Sequence, residues 1–191
     1  LDSHGNRILA LMKGLKRTPN LNIRGVKYML KMSIIYHSET GNTKRMAELI
    51  KEGALTVAGV KVNLMEQDQL DRNFLDESQV ILFGSPTYYG TMSWQMKRCM
   101  DTLPVRLVGK LGAPFASAAW PGGGGYELTE MALIQGMLIR GMIIYTGGVV
   151  TGRPPTHFGA VSHKAPEGLD AERCRKLGRN LALKGRELFC R

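Results

Sequence analysis

Three short segments of the sequence combine residues that suit a phosphorylated, planar ligand. Residues 37–43 (HSETGNT) carry hydroxyl and amide side chains beside one glycine. Residues 84–91 (GSPTYYGT) hold two adjacent tyrosines between glycines, and residues 120–126 (WPGGGGY) contain four consecutive glycines. Hydroxyls and free backbone N–H groups bind phosphate, and aromatic side chains stack on or wall in planar rings. The chemistry expected at these segments is therefore the binding of such a molecule.

Each of these loops follows a predicted β-strand, and each precedes a predicted helix. The strands are predicted at 32–36, 61–65, 79–84, 114–119 and 142–146, and the helices over 43–57, 73–77, 93–103, 128–140 and 170–189. Alternating strands and helices predict a three-layer α/β fold around a doubly wound, five-stranded parallel sheet. Ligands of open α/β sheets bind beyond the carboxyl ends of the strands, where these three loops lie.

The first loop is typical of a phosphate site that uses no lysine or arginine. It runs into a helix, whose first N–H groups point at the loop. Lys44 follows Thr43 instead of preceding it, so the loop is neither a P-loop nor the GxGxxG fingerprint. The alternative is an ordinary capped helix, because Thr and Asn are good N-caps.

The other two loops also have simpler interpretations. The tyrosines of the second loop could occupy an exposed turn, although loops at strand ends often carry function. The glycines of the third loop could form a flexible linker. Their position between a strand and a helix favours close approach of the backbone to a ligand instead.

The net charge of +10 lies at the two ends of the chain. Residues 1–31 have seven Lys or Arg and one Asp, residues 170–191 have seven basic and three acidic residues, and the stretch between them is neutral. Residues 1–31, with an amphipathic pattern over 6–16, are expected to be a basic N-terminal extension, either a native arm or a start-site artefact. Residues 32–191 are expected to form the ligand-binding domain.

Several classes of protein are not supported by the composition. No run of 18 uncharged apolar residues occurs, and no secretory leader pattern is present, so neither a membrane span nor a signal peptide is predicted. Three scattered cysteines without a CxxC predict no disulfide scaffold and no metal site, and they favour a reduced, cytoplasmic setting. The sequence has no basic stripe interleaved with aromatic residues, so a nucleic-acid partner is not predicted.

Four motifs in order resemble the flavodoxin-like family: SETGNT, GSPTYYGxMSxQMK, GGGYE and THFGAV. They are most similar to the branch of FMN-dependent NAD(P)H:quinone oxidoreductases named after the tryptophan-repressor-binding protein. The resemblance covers about residues 32–190 and implies the sheet order 2-1-3-4-5, an FMN cofactor, NAD(P)H as co-substrate, a small acceptor such as a quinone, and a homodimer or homotetramer. The implied FMN-binding residues are Ser38, Glu39, Thr40, Gly41, Asn42, Thr43, Pro86, Thr87, Tyr88, Tyr89, Gly90, Ala119, Trp120, Pro121, Gly122, Gly123 and Gly124.

The sequence also departs from that branch at identifiable positions. The insertion usual after the second strand is missing at 66–73, and a histidine of the branch is replaced by Ile139. His157 is the one candidate for a catalytic residue, as a hydrogen-bond donor or proton shuttle, against the alternative of a solvent-facing loop histidine. Trp94 either lines an edge of the flavin or packs into the protein.

Two other functions compete with an NAD(P)H-dependent oxidoreductase. One is a flavodoxin-type electron carrier for a protein partner, although the neutral body of the chain lacks the acidic surface expected of a carrier. The other is a non-enzymatic interaction protein that uses its basic ends.

Overall fold

A computed structural model describes residues 29–121 and 124–190. The predicted N-terminal extension therefore lies almost wholly outside the described residues, as do Gly122 and Gly123 of the third loop. The strands are β1 (Leu30–Tyr36), β2 (Val60–Glu66), β3 (Val80–Tyr88), β4 (Thr91–Met92), β5 (Leu111–Ala118), β6 (Ile143–Ile144) and β7 (Ala160–His163). The helices are α1 (Asn42–Leu55), α2 (Arg72–Glu77), α3 (Trp94–Thr102), α4 (Tyr126–Ile139) and α5 (Gly168–Phe189).

The parallel sheet has the predicted order. Its strands run β2-β1-β3-β5-β6, which is the 2-1-3-4-5 order once the β4 hairpin partner of β3 is set aside. Ile34 pairs with Leu82, and Leu82 pairs with Ala113, so β1, β3 and β5 lie side by side at the centre. All three strands are buried along most of their length, which explains their near-continuous apolar sequences.

The fifth position of the sheet differs from the prediction. The strand expected at 142–146 is reduced to β6, which pairs only with Leu111 and Gly112. The unpredicted strand β7 continues the same edge and pairs with residues 115–118 of β5. Gly147, Gly148 and two prolines lie between β6 and β7 and interrupt the hydrogen-bond ladder, because proline lacks an N–H and glycine weakens a strand.

Helices cover both faces of the sheet. On one face, α1 and α5 pack against β1 and each other so closely that two glycines are required between them. A Cβ on Gly178 would lie 1.9 Å from the carbonyl oxygen of Ile50, and one on Gly53 would lie 1.9 Å from that of Arg175. On the other face, α2, α3 and α4 cover a core rich in methionine. None of the helices in the described part of the chain has the length and apolar character needed to cross a membrane.

Candidate functional site

The three loops singled out in the sequence meet at the carboxyl edge of the sheet, because β1, β3 and β5 are neighbours. The first two loops touch directly, since the rings of His37 and Tyr88 pack edge to face. Further contacts join the loops to the ends of neighbouring elements: the hydroxyls of Thr43, at the start of α1, and Ser117, at the end of β5, are 2.8 Å apart. The Gln95 side chain donates to the Glu39 carboxylate at 3.1 Å. The hydroxyl of Thr129 donates to that of Thr87 at 3.0 Å. The predicted clustering of the loops is therefore found in the structure.

The first loop ends at Gly41, which has φ = +87° and caps the 14-residue helix α1. This left-handed conformation costs a glycine little and turns the chain sharply into the helix. The first N–H groups of a helix have no acceptor within it, so those at the start of α1 face the loop. The Ser38 hydroxyl oxygen is buried and has no hydrogen-bond partner among the described residues. A buried hydroxyl beside a helix N-terminus is suited to a phosphate oxygen.

Two of the residues expected to bind the ligand have partners within the protein. The Thr43 side chain is buried and hydrogen-bonded to Ser117, so it fixes the first loop to the end of β5. The Asn42 amide donates to the Thr40 hydroxyl at 3.3 Å. These contacts stabilise the conformation of the first loop. The sequence pattern alone could not show whether such side chains bind a ligand or stabilise the loop.

A buried histidine supports the junction between the first and second loops. His37 lies 6.2 Å from the Tyr88 ring, edge to face, and 3.8 Å from the Glu39 carboxylate. Burial lowers the pKa of His37, and the nearby Glu39 charge opposes that shift. Burial and a hydrogen bond to Glu39 raise the pKa of Tyr88. The buried position of His37 fits a supporting role at this junction.

The second loop presents its two tyrosines differently. Tyr88 is half-buried at the end of β3, whereas Tyr89 is fully exposed with φ = +50°. Positive φ is unusual for tyrosine and holds the ring away from the protein. Pro86 and Thr87 are part of β3 and half-buried, and Gly90 follows with φ = +78°. The second loop therefore presents one half-buried tyrosine ring, that of Tyr88, and one fully exposed ring, that of Tyr89.

The third loop leaves β5 with three exposed residues, Ala119, Trp120 and Pro121. A Cβ on Gly124 would lie 2.0 Å from the carbonyl oxygen of Trp120, so only glycine fits where the loop folds back. The His163 ring is hydrogen-bonded to the carbonyl oxygen of Ala119 at 2.9 Å. Sequence reasoning missed His163, since β7 was not predicted and no local pattern links it to this loop.

His157 does not join the loop cluster through any contact described here. It is exposed, has φ = +33°, and its carbonyl accepts a hydrogen bond from the Thr146 hydroxyl. Its ring borders a small cavity beside the start of α4, together with Tyr126 and Glu130.

A large groove runs from the second loop down the surface between α3 and α4. Its volume is about 960 Å³, and its lining includes Tyr88, Tyr89, Met92 and the partly exposed Trp94. Trp94 is 65% exposed, so packing into the protein, the alternative weighed for it, is not what the structure shows. Ile139 lines the far end of the groove and is 88% exposed. Sequence periodicity did not reveal this groove, because it depends on how two helices are spaced.

Comparisons with known proteins agree with the fold described above. The sequence pattern described as flavodoxin matches residues 34–131, which is just over half of the chain. The chain belongs to the flavodoxin family.

Two kinds of relative resemble this flavodoxin-family chain. A flavodoxin from Clostridium saccharobutylicum is 38% identical over 161 residues, covering 84% of this chain and 100% of the relative. An NAD(P)H dehydrogenase (quinone) from Archaeoglobus fulgidus is 30% identical over 191 residues, covering 81% of this chain and 96% of the relative. A solved flavodoxin from the domain Archaea superposes with a TM-score of 0.67 at 28% identity, covering 82% of this chain and 99% of that structure. The predicted resemblance to the flavodoxin-like family and its quinone-oxidoreductase branch is confirmed.

Proposed function

We propose that residues 32–191 form an FMN-binding oxidoreductase that passes electrons from NAD(P)H to a small acceptor such as a quinone. The observation that carries this proposal is the buried Ser38 hydroxyl, which has no hydrogen-bond partner among the described residues and lies in the loop that leads into α1. The contact of His37 with Tyr88 and the bond between Thr43 and Ser117 hold this loop beside the ends of β3 and β5. Family membership implies an FMN cofactor, and the donors present fit its phosphate.

Each loop would hold a different part of FMN. The Ser38 hydroxyl and the first N–H groups of α1 would bind the phosphate, with Thr43 and Ser117 keeping the loop in place. Tyr88, supported by His37, would border one face of the ring, and the backbone from Ala119 to Gly124 would border its other side. Backbone N–H groups near the ring would stabilise negative charge that develops on it.

When bound, FMN would supply two-electron redox chemistry between NAD(P)H and the acceptor. The protein would position its ring. The exposed Tyr89 and Trp94 leave a wide entrance beside the second loop, which suits a planar substrate of variable structure. No side chain needs to act as an acid or base in this scheme, and His157 is a candidate only for assisting proton transfer to the acceptor.

The test begins with the absorbance spectrum of purified protein, followed by anaerobic addition of NADH or NADPH and then of benzoquinone. We expect bleaching of the flavin bands by one nucleotide and their return with the quinone. FMN-loaded protein that neither nucleotide reduces would contradict the enzymatic proposal while leaving FMN binding intact.

An electron carrier for a protein partner is the second candidate, and the 38% identical flavodoxin relative favours it. A carrier would be reduced by light with a deazaflavin donor and would then reduce a protein acceptor. It would show no turnover with NADH, NADPH and benzoquinone, so the same preparation distinguishes the two functions.

We also propose that the chain forms a homodimer or homotetramer through the C-terminal end of α4. The apolar side chains of Leu138 and Ile139, the last two residues of this helix, are exposed. An Ile139→Glu variant is expected to sediment as a smaller species than the native protein. Leu55→Glu, which places the same charge on α1 across the sheet, is the matched control and should leave the mass unchanged. A native protein that sediments as a monomer would contradict this assembly.

A reducing compartment such as the cytoplasm fits the three free thiols Cys99, Cys174 and Cys190.

A further inference from the structure

A second, smaller cavity of about 220 Å³ lies beside the start of α4, away from the groove face. It is enclosed by the first turn of α4, the segment before β7 and the side of α5. Its wall is part aromatic and apolar and part polar. The residues that define it for the argument are Tyr126, Glu127, Glu130, His157, Phe158 and Arg173.

The Glu130 side chain lines this cavity and is almost fully buried. Glu130 is only 2% exposed, and its Oε1 atom has no hydrogen-bond partner among the described residues. A Cβ on Gly159 would lie 2.5 Å from this oxygen, so the absence of a side chain at 159 leaves room for the carboxyl. A buried polar atom without a partner is costly, and it points to a ligand or water that supplies one.

Charged and titratable side chains from three segments line the cavity around Glu130. From α5, the Arg173 guanidinium donates to Asp170 at 2.6 Å and to the carbonyl oxygen of Pro155 at 3.0 Å. From α4, Glu127 stands exposed at the rim, and the segment before β7 contributes His157.

Burial in this cavity favours the uncharged form of the Glu130 carboxyl at neutral pH. Burial raises the pKa of Glu130 to about 9, the charge of Glu127 adds to the shift, and Arg173 opposes it. A neutral carboxyl offers both one O–H donor and one acceptor oxygen.

A charged ligand would lose hydration in this cavity without gaining a buried, unpaired counter-charge. Arg173 is already paired with Asp170, and Glu127 is exposed at the rim, where water screens its charge. A neutral group that presents a donor next to an acceptor would instead complete both hydrogen bonds of the carboxyl. A primary carboxamide has that pattern, since its N–H and C=O point the same way as the O–H and C=O of an acid.

We propose that this cavity binds an aromatic primary carboxamide. The amide N–H donates to Oε1 of Glu130, the Glu130 O–H donates to the amide oxygen, and the ring lies between Tyr126 and Phe158. Binding forms no covalent bond and needs neither FMN nor turnover, so it goes beyond the function proposed above. A free aromatic amide and the nicotinamide end of a pyridine nucleotide share this chemistry.

The test is titration of the full-length protein with benzamide, followed by calorimetry or by NMR line broadening. Glu130→Leu removes both hydrogen bonds at similar volume and should weaken binding at least tenfold. Glu130→Gln keeps one donor and one acceptor and should bind within threefold of the native protein. Urea unfolding of each variant establishes that both fold.

The pH dependence separates this mechanism from a merely structural role of Glu130. Between pH 7 and pH 10, ionisation of a carboxyl with pKa about 9 removes its O–H, so benzamide affinity should fall about tenfold. Glu130→Gln has no such proton, and its affinity should stay constant over this range. Benzoate and benzylamine, the charged analogues of the probe, should not compete.

Two results would overturn the proposal: no benzamide binding by the folded native protein, or equal binding by Glu130→Leu. Competition by reduced nicotinamide mononucleotide, whose planar dihydropyridine ring is uncharged and keeps the carboxamide, would identify the pyridine nucleotide as the source of the amide. Its failure to compete would identify a free aromatic amide. Retention of FMN is measured on the same samples, so failure of this site and failure of the FMN proposal are told apart.

Discussion

Replacing Ser38 with alanine should change ligand affinity and stability in opposite directions. The Ser38 hydroxyl is buried, has no hydrogen-bond partner among the described residues, and lies in the loop that leads into α1. If it donates to the FMN phosphate, the variant loses a hydrogen bond to a charged group. If it otherwise has no partner, the FMN-free variant is relieved of an unsatisfied buried group.

The size of both effects follows from the burial of this hydroxyl. A hydrogen bond to a charged group contributes about 1.5–3 kcal/mol, which corresponds to a loss of about tenfold to 150-fold in FMN affinity. Removing an unsatisfied buried hydroxyl should raise the free energy of unfolding of FMN-free protein by about 1 kcal/mol. Ser33 provides the control on β1, the strand that leads into this loop, because its hydroxyl is buried but satisfied, 2.8 Å from that of Ser78.

The assay titrates FMN into stripped protein and follows the quenching of flavin fluorescence, and urea unfolding of the same protein measures stability. Ser33→Ala should lower stability by about 1 kcal/mol and leave FMN affinity unchanged. Unchanged FMN affinity in Ser38→Ala would refute the phosphate role. A loss of stability in FMN-free Ser38→Ala would show that the hydroxyl has a partner and refute the argument from burial.

Three further predictions concern packing, titration and thiol reactivity. Gly178→Ala should lower the free energy of unfolding by about 3 kcal/mol, because its Cβ meets a backbone carbonyl of α1 at 1.9 Å. Arg179 is exposed on the same helix, so Arg179→Ala should change the free energy of unfolding, measured by thermal unfolding, by less than about 0.5 kcal/mol. The folded Glu130 carboxyl stays protonated while the unfolded one ionises, so native stability should fall between about pH 4.5 and about pH 9, by up to about 1.4 kcal/mol per unit. Urea unfolding at pH 5, 7 and 9 should show that the free energy of unfolding of the native protein falls with pH and that this fall is lost in Glu130→Gln. Equal dependence on pH in the two proteins would contradict a buried, protonated Glu130. In the folded protein, a thiol reagent at pH 8 should modify Cys190 first, since burial raises the pKa of the other two thiols to about 11 and about 12. Mass spectrometry showing equal modification of all three would contradict that order.

The sequence by itself determined the order of elements and the place of the candidate site. Apolar strands alternating with amphipathic helices specify parallel β-α-β units, and such units bring the loops after β1, β3 and β5 to one edge. The types of residue in those loops then indicated a phosphate site beside a planar-ring site. These features depend on residues close together in the chain, which is why a linear pattern predicts them.

Only the tertiary structure decided which polar groups in those loops are free. Thr43 and Ser38 are both hydroxyl residues of the first loop, yet Thr43 is paired with Ser117, 74 residues away, and Ser38 has no partner in the described chain. In the sequence, Glu130 is one more acidic residue of a predicted helix. In the structure, its burial against β5 and the segment before β7 raises its pKa to about 9. Hydrogen-bond satisfaction and desolvation arise from contacts between distant segments, so no local spacing in the sequence encodes them.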